Sequence, residues 1–84
     1  MALIFTAHAS HRMTLRAITE AWVAATIEQP ELTSPDPRDS ALTRAWRRIP
    51  EHDGRVLRVV FRRDGSDIVV VSTVFDRGAR QWLP

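Results

Sequence analysis

Apolar residues recur along this chain first with a strand-like run, then at helical spacing, then with the period of two that marks β-strands. The run "ALIFT" is short, apolar and β-rich, and it predicts a first strand over Ala2–Thr6. Thr6 is then placed to cap a helix over Ala7–Arg16, with Ala9, Met13 and Leu15 available for burial. Thr19 is a second capping residue, followed by Glu20, whose charge suits the start of a helix. Ile18, Trp22, Val23 and Ile27 share one face of that second helix, and Ile18 ahead of the cap can staple onto Val23. Pro30 ends it. The stretch "PELTSPDPRDS" sets three prolines among Ser, Thr and Asp and reads as a surface loop.

Three β-rich runs follow: "TRAWRRIP", "GRVLRVVFRR" and "DIVVVSTVF". They are separated by "EHDG" and "RDGS", both with the Asp-Gly signal of a hairpin. The predicted architecture is therefore α+β in the order β-α-α-β-β-β, with one N-terminal strand, two helices and a three-stranded antiparallel meander. It forms a single domain over residues 1–84, with no internal repeat. Alternation puts Leu57, Val59 and Phe61 on one face of the middle meander strand, and Val56, Arg58, Val60 and Arg62 on the other. The first, wholly apolar set suits the helices. In the last strand the same count sets Val69, Val71, Thr73 and Phe75 against Ile68, Val70, Ser72 and Val74, so both faces of it call for cover. The C-terminal "RGARQWLP" offers Trp82 and Leu83 for the second face, and a partner protein is the alternative.

Composition narrows the function. There is no cysteine, hence neither a disulfide nor a thiolate metal site. No run approaches a membrane span, and the start lacks the features of a signal peptide, so the cytoplasm is the expected location. All twelve basic residues are arginine, as a GC-rich genome would favour, but their distribution is uneven. Residues 1–43 carry three arginines against five acids, and residues 44–84 carry nine against five. The second half is a candidate anion-binding surface, since the planar guanidinium fork suits phosphate. Solvated charged faces are the plainer reading.

Two constellations carry possible chemistry. In a helix from Ala7, the residues His8, Arg12 and Arg16 fall on one stripe with His11 beside it. An imidazole next to guanidinium groups suits proton transfer during phosphodiester cleavage, with the arginines stabilising charge on phosphate. The alternative is a helix-start histidine and two solvated arginines. No carboxylate has ligand spacing with His8 and His11, so no metal is expected. The second constellation is Arg58 and Arg62 on one strand face with Arg77 and Arg80 beyond the last strand, four guanidinium groups that could hold a phosphate chain. Ion pairs with Asp64, Asp67 and Asp76 are the alternative. Trp46, beside Arg47 and Arg48, is either packed or available to stack on a base. No nucleotide-binding glycine loop, nucleophile elbow or carboxylate pair is present, and no cofactor is called for.

The stretch "TAHASHRMTLRAITEAWVAATIEQP", with the spacing HAxxRMxxRxI, followed by a Pro/Asp loop and "RVLRVVFRRDGSDIVVVSTVF", resembles a small bacterial family known as domain of unknown function 4258. The resemblance spans residues 3 to about 77. The element order also resembles the RelE and BrnT toxins, small ribonucleases of toxin–antitoxin pairs. "VLRVVFRRDG" is similar to their "YRLLYRV"-type strand, which implies a phosphate-contacting role for Arg58, and "VFDRGARQW" is similar to their "HRRxVY"-type ending, which implies the same for Arg77. The chain lacks the lysine and tyrosine of those toxins, so catalysis on that pattern would fall to histidine. The residues and the resemblance together give the expectation of metal-independent RNA cleavage or RNA binding, with His8, Arg12, Arg58 and Arg77 as catalytic residues and Arg16, Arg62, Arg80 and Trp46 as substrate contacts; of these, Arg58 and Arg77 are what the resemblance implies, and the others come from the two constellations. The resemblance also implies an antitoxin as partner. A non-catalytic module binding nucleic acid or protein, or a homodimer joined through the second sheet face, stands beside it.

Overall fold

Thr6 and Thr19 both do what their positions predict, and the two helices start where they stand. The computed structural model describes residues 2–84. Strand β1 (Leu3–Phe5) leads into helix α1 (Ala7–Arg16), whose first turn is closed by Thr6 Oγ1 accepting from the Ala9 N–H at 3.2 Å. Helix α1 ends on Ala17 in the left-handed region, φ 54°, with the Ile18 N–H donating back to Met13 O at 2.9 Å. Two residues later Thr19 Oγ1 accepts from the Trp22 N–H at 3.1 Å and opens α2 (Glu20–Glu28). Ile18 and Val23 flank this cap, and both are buried in one cluster, as a hydrophobic staple requires.

The segment read as a loop holds a strand. β2 (Leu32–Pro35) pairs antiparallel with β3 (Thr43–Ile49), Leu32 opposite Trp46 and Pro35 opposite Thr43. It is an edge strand with hydrogen bonds on one side only, so Pro35 is tolerated there, and its apolar content is a single half-buried leucine. A 3-10 turn (Pro50–His52) then leads to β4 (Arg55–Asp64), which is joined by the Gly65 turn, φ +61°, to β5 (Asp67–Phe75). The predicted meander of three antiparallel strands corresponds to β3, β4 and β5. It sits within a five-stranded mixed sheet of order β1-β5-β4-β3-β2, in which β1 runs parallel to β5.

A bulge corrects the predicted faces of β5. Val60 stands opposite Ser72 and Phe61 opposite Val70, so Val71 has no partner across the ladder. The extra residue flips the phase. Ile68 and Val70 therefore share the helix-side core with Phe75 rather than opposing it, together with Val23, Ile27, Leu57, Val59 and Phe61. On the outer face Trp46, Val56, Ala79 and Leu83 form a smaller cluster, because a 3-10 turn (Arg77–Gln81) folds the C-terminus back over the sheet. Leu83 is buried in that cover, while Trp82 stays half-exposed with its ring edge-on to Trp46 at 5.3 Å. No helix among the described residues is long and apolar enough to cross a membrane.

Candidate nucleic-acid interface

The strand register separates the arginines into two groups. Trp46 pairs with Arg58 and Arg44 with Val60, so Arg44, Arg58 and Arg62 point to the outer face, away from the helices. There they are engaged by the protein itself. Asp76 Oδ2 accepts the Trp46 Nε1–H at 3.0 Å and lies 3.5 Å from Arg58 Nη1. Arg44 lies over the Trp46 ring at 5.0 Å and reaches Ser34 Oγ at 3.5 Å. Arg62 stands 3.7 Å from Asp64. Trp46 is 3% exposed between Arg44 and Trp82, so its ring is not presented to a nucleic-acid base. A groove of about 330 Å³ does run between Arg38, Arg44 and Arg58, but Asp36 shares its lining.

The second group gathers where β5 ends. Arg16 closes α1, His52 closes the 3-10 turn after β3, Arg55 opens β4, Phe75 closes β5 and Arg77 follows it. These five residues and Val74 line a cavity of about 210 Å³. The His52 ring stacks on Phe75 at 4.9 Å and 25°, with Trp22 5.4 Å from His52, so packing holds the imidazole in place. The Arg55 guanidinium lies 5.8 Å from the Phe75 ring. An adjoining cavity of about 230 Å³ shares Arg55, Phe75 and Arg77 and adds Arg80, whose Nη2 donates to Asp53 O at 2.6 Å. Among the described residues Arg16, Arg55 and Arg77 have no ion-pair partner. Asp76 is adjacent in sequence, but its carboxylate is taken by Trp46 and Arg58.

The sequence-predicted residues are thus divided. Arg16, Arg77 and Arg80 come together at the end of the sheet. Arg58, Arg62 and Trp46 lie on the outer face, where the ion pairs Arg58–Asp76 and Arg62–Asp64 form. His8, His11 and Arg12 are exposed on α1, and their side chains make no hydrogen bond or ion pair with the described residues. The stripe on α1 delivers only its last member, Arg16, to a cavity. Two residues of the cluster, His52 and Arg55, were not singled out from the sequence. Arg55 was within reach of the strand phase, because it precedes Leu57 by two and so belongs to the helix-side set. His52 was hidden in "EHDG", read only as a turn.

Among the described residues no three of His, Cys, Asp and Glu come together to hold a metal ion. The model of one protein family, described as "Domain of unknown function (DUF4258)", matches residues 5–76. Comparison with curated proteins and with solved structures returns no match.

Proposed function

The chain belongs to the family described as domain of unknown function DUF4258, and we propose that it binds single-stranded RNA by its phosphates at the end of β5. One observation carries this reading: Arg16, Arg55 and Arg77 converge on a surface cavity with no carboxylate to neutralise them. Guanidinium groups held close together repel one another in the free protein, and a bound polyanion relieves that repulsion while supplying charge-assisted acceptors. The outer-face arginines fit the role less well, since Arg58 faces Asp76, Arg62 faces Asp64 and Arg44 lies over the Trp46 ring. The test is a titration of fluorescent oligonucleotide RNA at several salt concentrations. Binding that weakens steeply with salt supports the reading. A folded protein with no salt-dependent binding removes it.

His52 favours a second reading, the toxin-type one, in which the bound RNA is cut without a metal. Its imidazole lies in the same cavity as the three arginines. There it would take the proton from a ribose 2′-hydroxyl as that oxygen attacks the adjacent phosphorus. The arginines would stabilise the charge on phosphate, and the departing 5′-oxygen would take its proton from water. Cleavage of an RNA pool in EDTA by the intact protein, and its loss in His52→Phe, would carry this second reading.

A further inference from the structure

Building on the RNA-binding reading above, we infer that the site at the end of β5 is a pair of phosphate subsites, and that its ligand is a run of at least two consecutive phosphates on one RNA strand. The two adjoining cavities are close in size, about 210 and 230 Å³, and they share three residues, Arg55, Phe75 and Arg77. Those three are common to both linings. Each cavity then has one arginine of its own, Arg16 on the His52 side and Arg80 on the Asp76 side.

Donor and charge arithmetic favours more than one phosphate as the complete ligand. Each guanidinium presents five N–H donors, and a phosphodiester offers one negative charge on two non-bridging oxygens. Two guanidinium groups saturate those oxygens. Four are present here, and Asp76, which lines the Arg80 cavity, has its carboxylate engaged by Trp46 and Arg58, so one phosphate leaves most of the positive charge unmatched. A second phosphate in the adjoining cavity uses the remaining pair.

Arg80 is built for a fixed position, because its Nη2 donates to Asp53 O at 2.6 Å. The chain passes beneath it at Gly54, φ +66°, where an added Cβ would stand 3.2 Å from that Nη2. A side chain at position 54 would both strain the backbone and push Arg80 aside. Arg16 is likewise positioned from its backbone, at the end of a helix closed by the Met13–Ile18 hydrogen bond. The two outer arginines are thus set by elements from opposite ends of the chain and flank a common centre.

The experiment titrates uridine oligonucleotides holding one, two or four phosphodiesters into the intact protein by NMR at several salt concentrations. It is repeated with Arg16→Gln, Arg80→Gln and, as a charge-matched control, Arg63→Gln in β4, whose guanidinium lies over the Phe61 ring and lines neither cavity. Two phosphodiesters should bind about tenfold more tightly than one. The slope of log affinity against log salt should steepen by roughly 0.7 for that step. Arg16→Gln and Arg80→Gln should each bring the two-phosphate ligand down towards the one-phosphate ligand, and Arg63→Gln should not. Equal affinity and slope for one and two phosphodiesters in the unmodified protein would overturn the paired site while leaving RNA binding intact. So would loss in one outer variant with no change in the other. Absence of binding by any oligonucleotide would instead overturn the RNA-binding reading, and the paired site with it. Circular dichroism of each variant separates misfolding from lost contacts, and Arg16→Met and Arg80→Met, which keep an apolar stem and remove the charge, replace any variant that fails to fold.

Discussion

Trp46 donates its indole N–H to Asp76 Oδ2 at 3.0 Å, and that single bond holds on the outer face the carboxylate adjacent in sequence to Arg77. Arg58 faces the same oxygen at 3.5 Å. The positive character of the sheet end depends on this arrangement, because Asp76 lines the Arg80 cavity and its carboxylate is engaged by Trp46 and Arg58.

Trp46→Phe should therefore cost stability. Losing the indole donor leaves a partly buried carboxylate short of a partner, a cost of about 1–2 kcal/mol. For a domain of this size that lowers the melting temperature by roughly 5–15 °C. Asp76→Asn should also lower stability, by removing the partner of Arg58, yet tighten RNA binding because one negative charge is gone. Thermal melts and an RNA titration on both variants read the two effects separately, and weaker binding by Asp76→Asn would contradict the account.

Arg55→Gln and Arg77→Gln remove the arginines common to both cavities. Each should weaken RNA binding about tenfold or more and flatten the salt dependence by roughly one unit of slope. Both side chains are exposed, so the circular dichroism spectrum should be unchanged. Arg62→Gln, on the outer face beside Asp64, should cost far less.

His52→Phe keeps an aromatic ring against Phe75 and removes the titratable nitrogens. If the domain cuts RNA, cleavage should be lost while binding stays within a few-fold, whereas His8→Ala, on the exposed side of α1, should cut normally. A product assay in EDTA decides between the two histidines. Loss with His8→Ala alone would return the chemistry to α1.

Ala17 occupies the left-handed conformation, φ 54°, at the end of α1. A Cβ there is strained, so Ala17→Gly should stabilise the domain by about 0.5–1 kcal/mol. Leu83→Ala should do the reverse, by about 2–3 kcal/mol, since Leu83 is 8% exposed over the outer cluster. Urea unfolding followed by tryptophan fluorescence measures both.

Local signals are legible in the sequence and long-range ones less so. Thr6 and Thr19 announce their helices because capping is a matter of three or four residues, and the Asp-Gly pairs announce hairpins for the same reason. The edge strand at Leu32 went unread because a strand bonded on one side only needs little apolar content. The Val71 bulge went unread because nothing in a run of valines marks which one lacks a partner, and that single insertion reverses the predicted faces of β5. The site was legible in its composition but not in its assembly. The C-terminal excess of arginine is plain in the sequence, whereas the split between outer-face and strand-end groups depends on which arginines Asp76 and Asp64 reach.

The parallel pairing of β1 with β5 has a kinetic side. Leu3–Phe5 meets Ile68–Val70, and the Thr6 hydroxyl reaches Val71 O across a separation of 65 residues. The β3–β4–β5 hairpins close over short loops, but docking β1 closes most of the chain into one loop, and such contacts form slowly. Arg55 and Arg77 can be in place once the hairpins form, while Arg16 arrives only with α1, which β1 anchors to the sheet. Anion-binding competence is on this view a late property of the folding chain, acquired when its two ends meet.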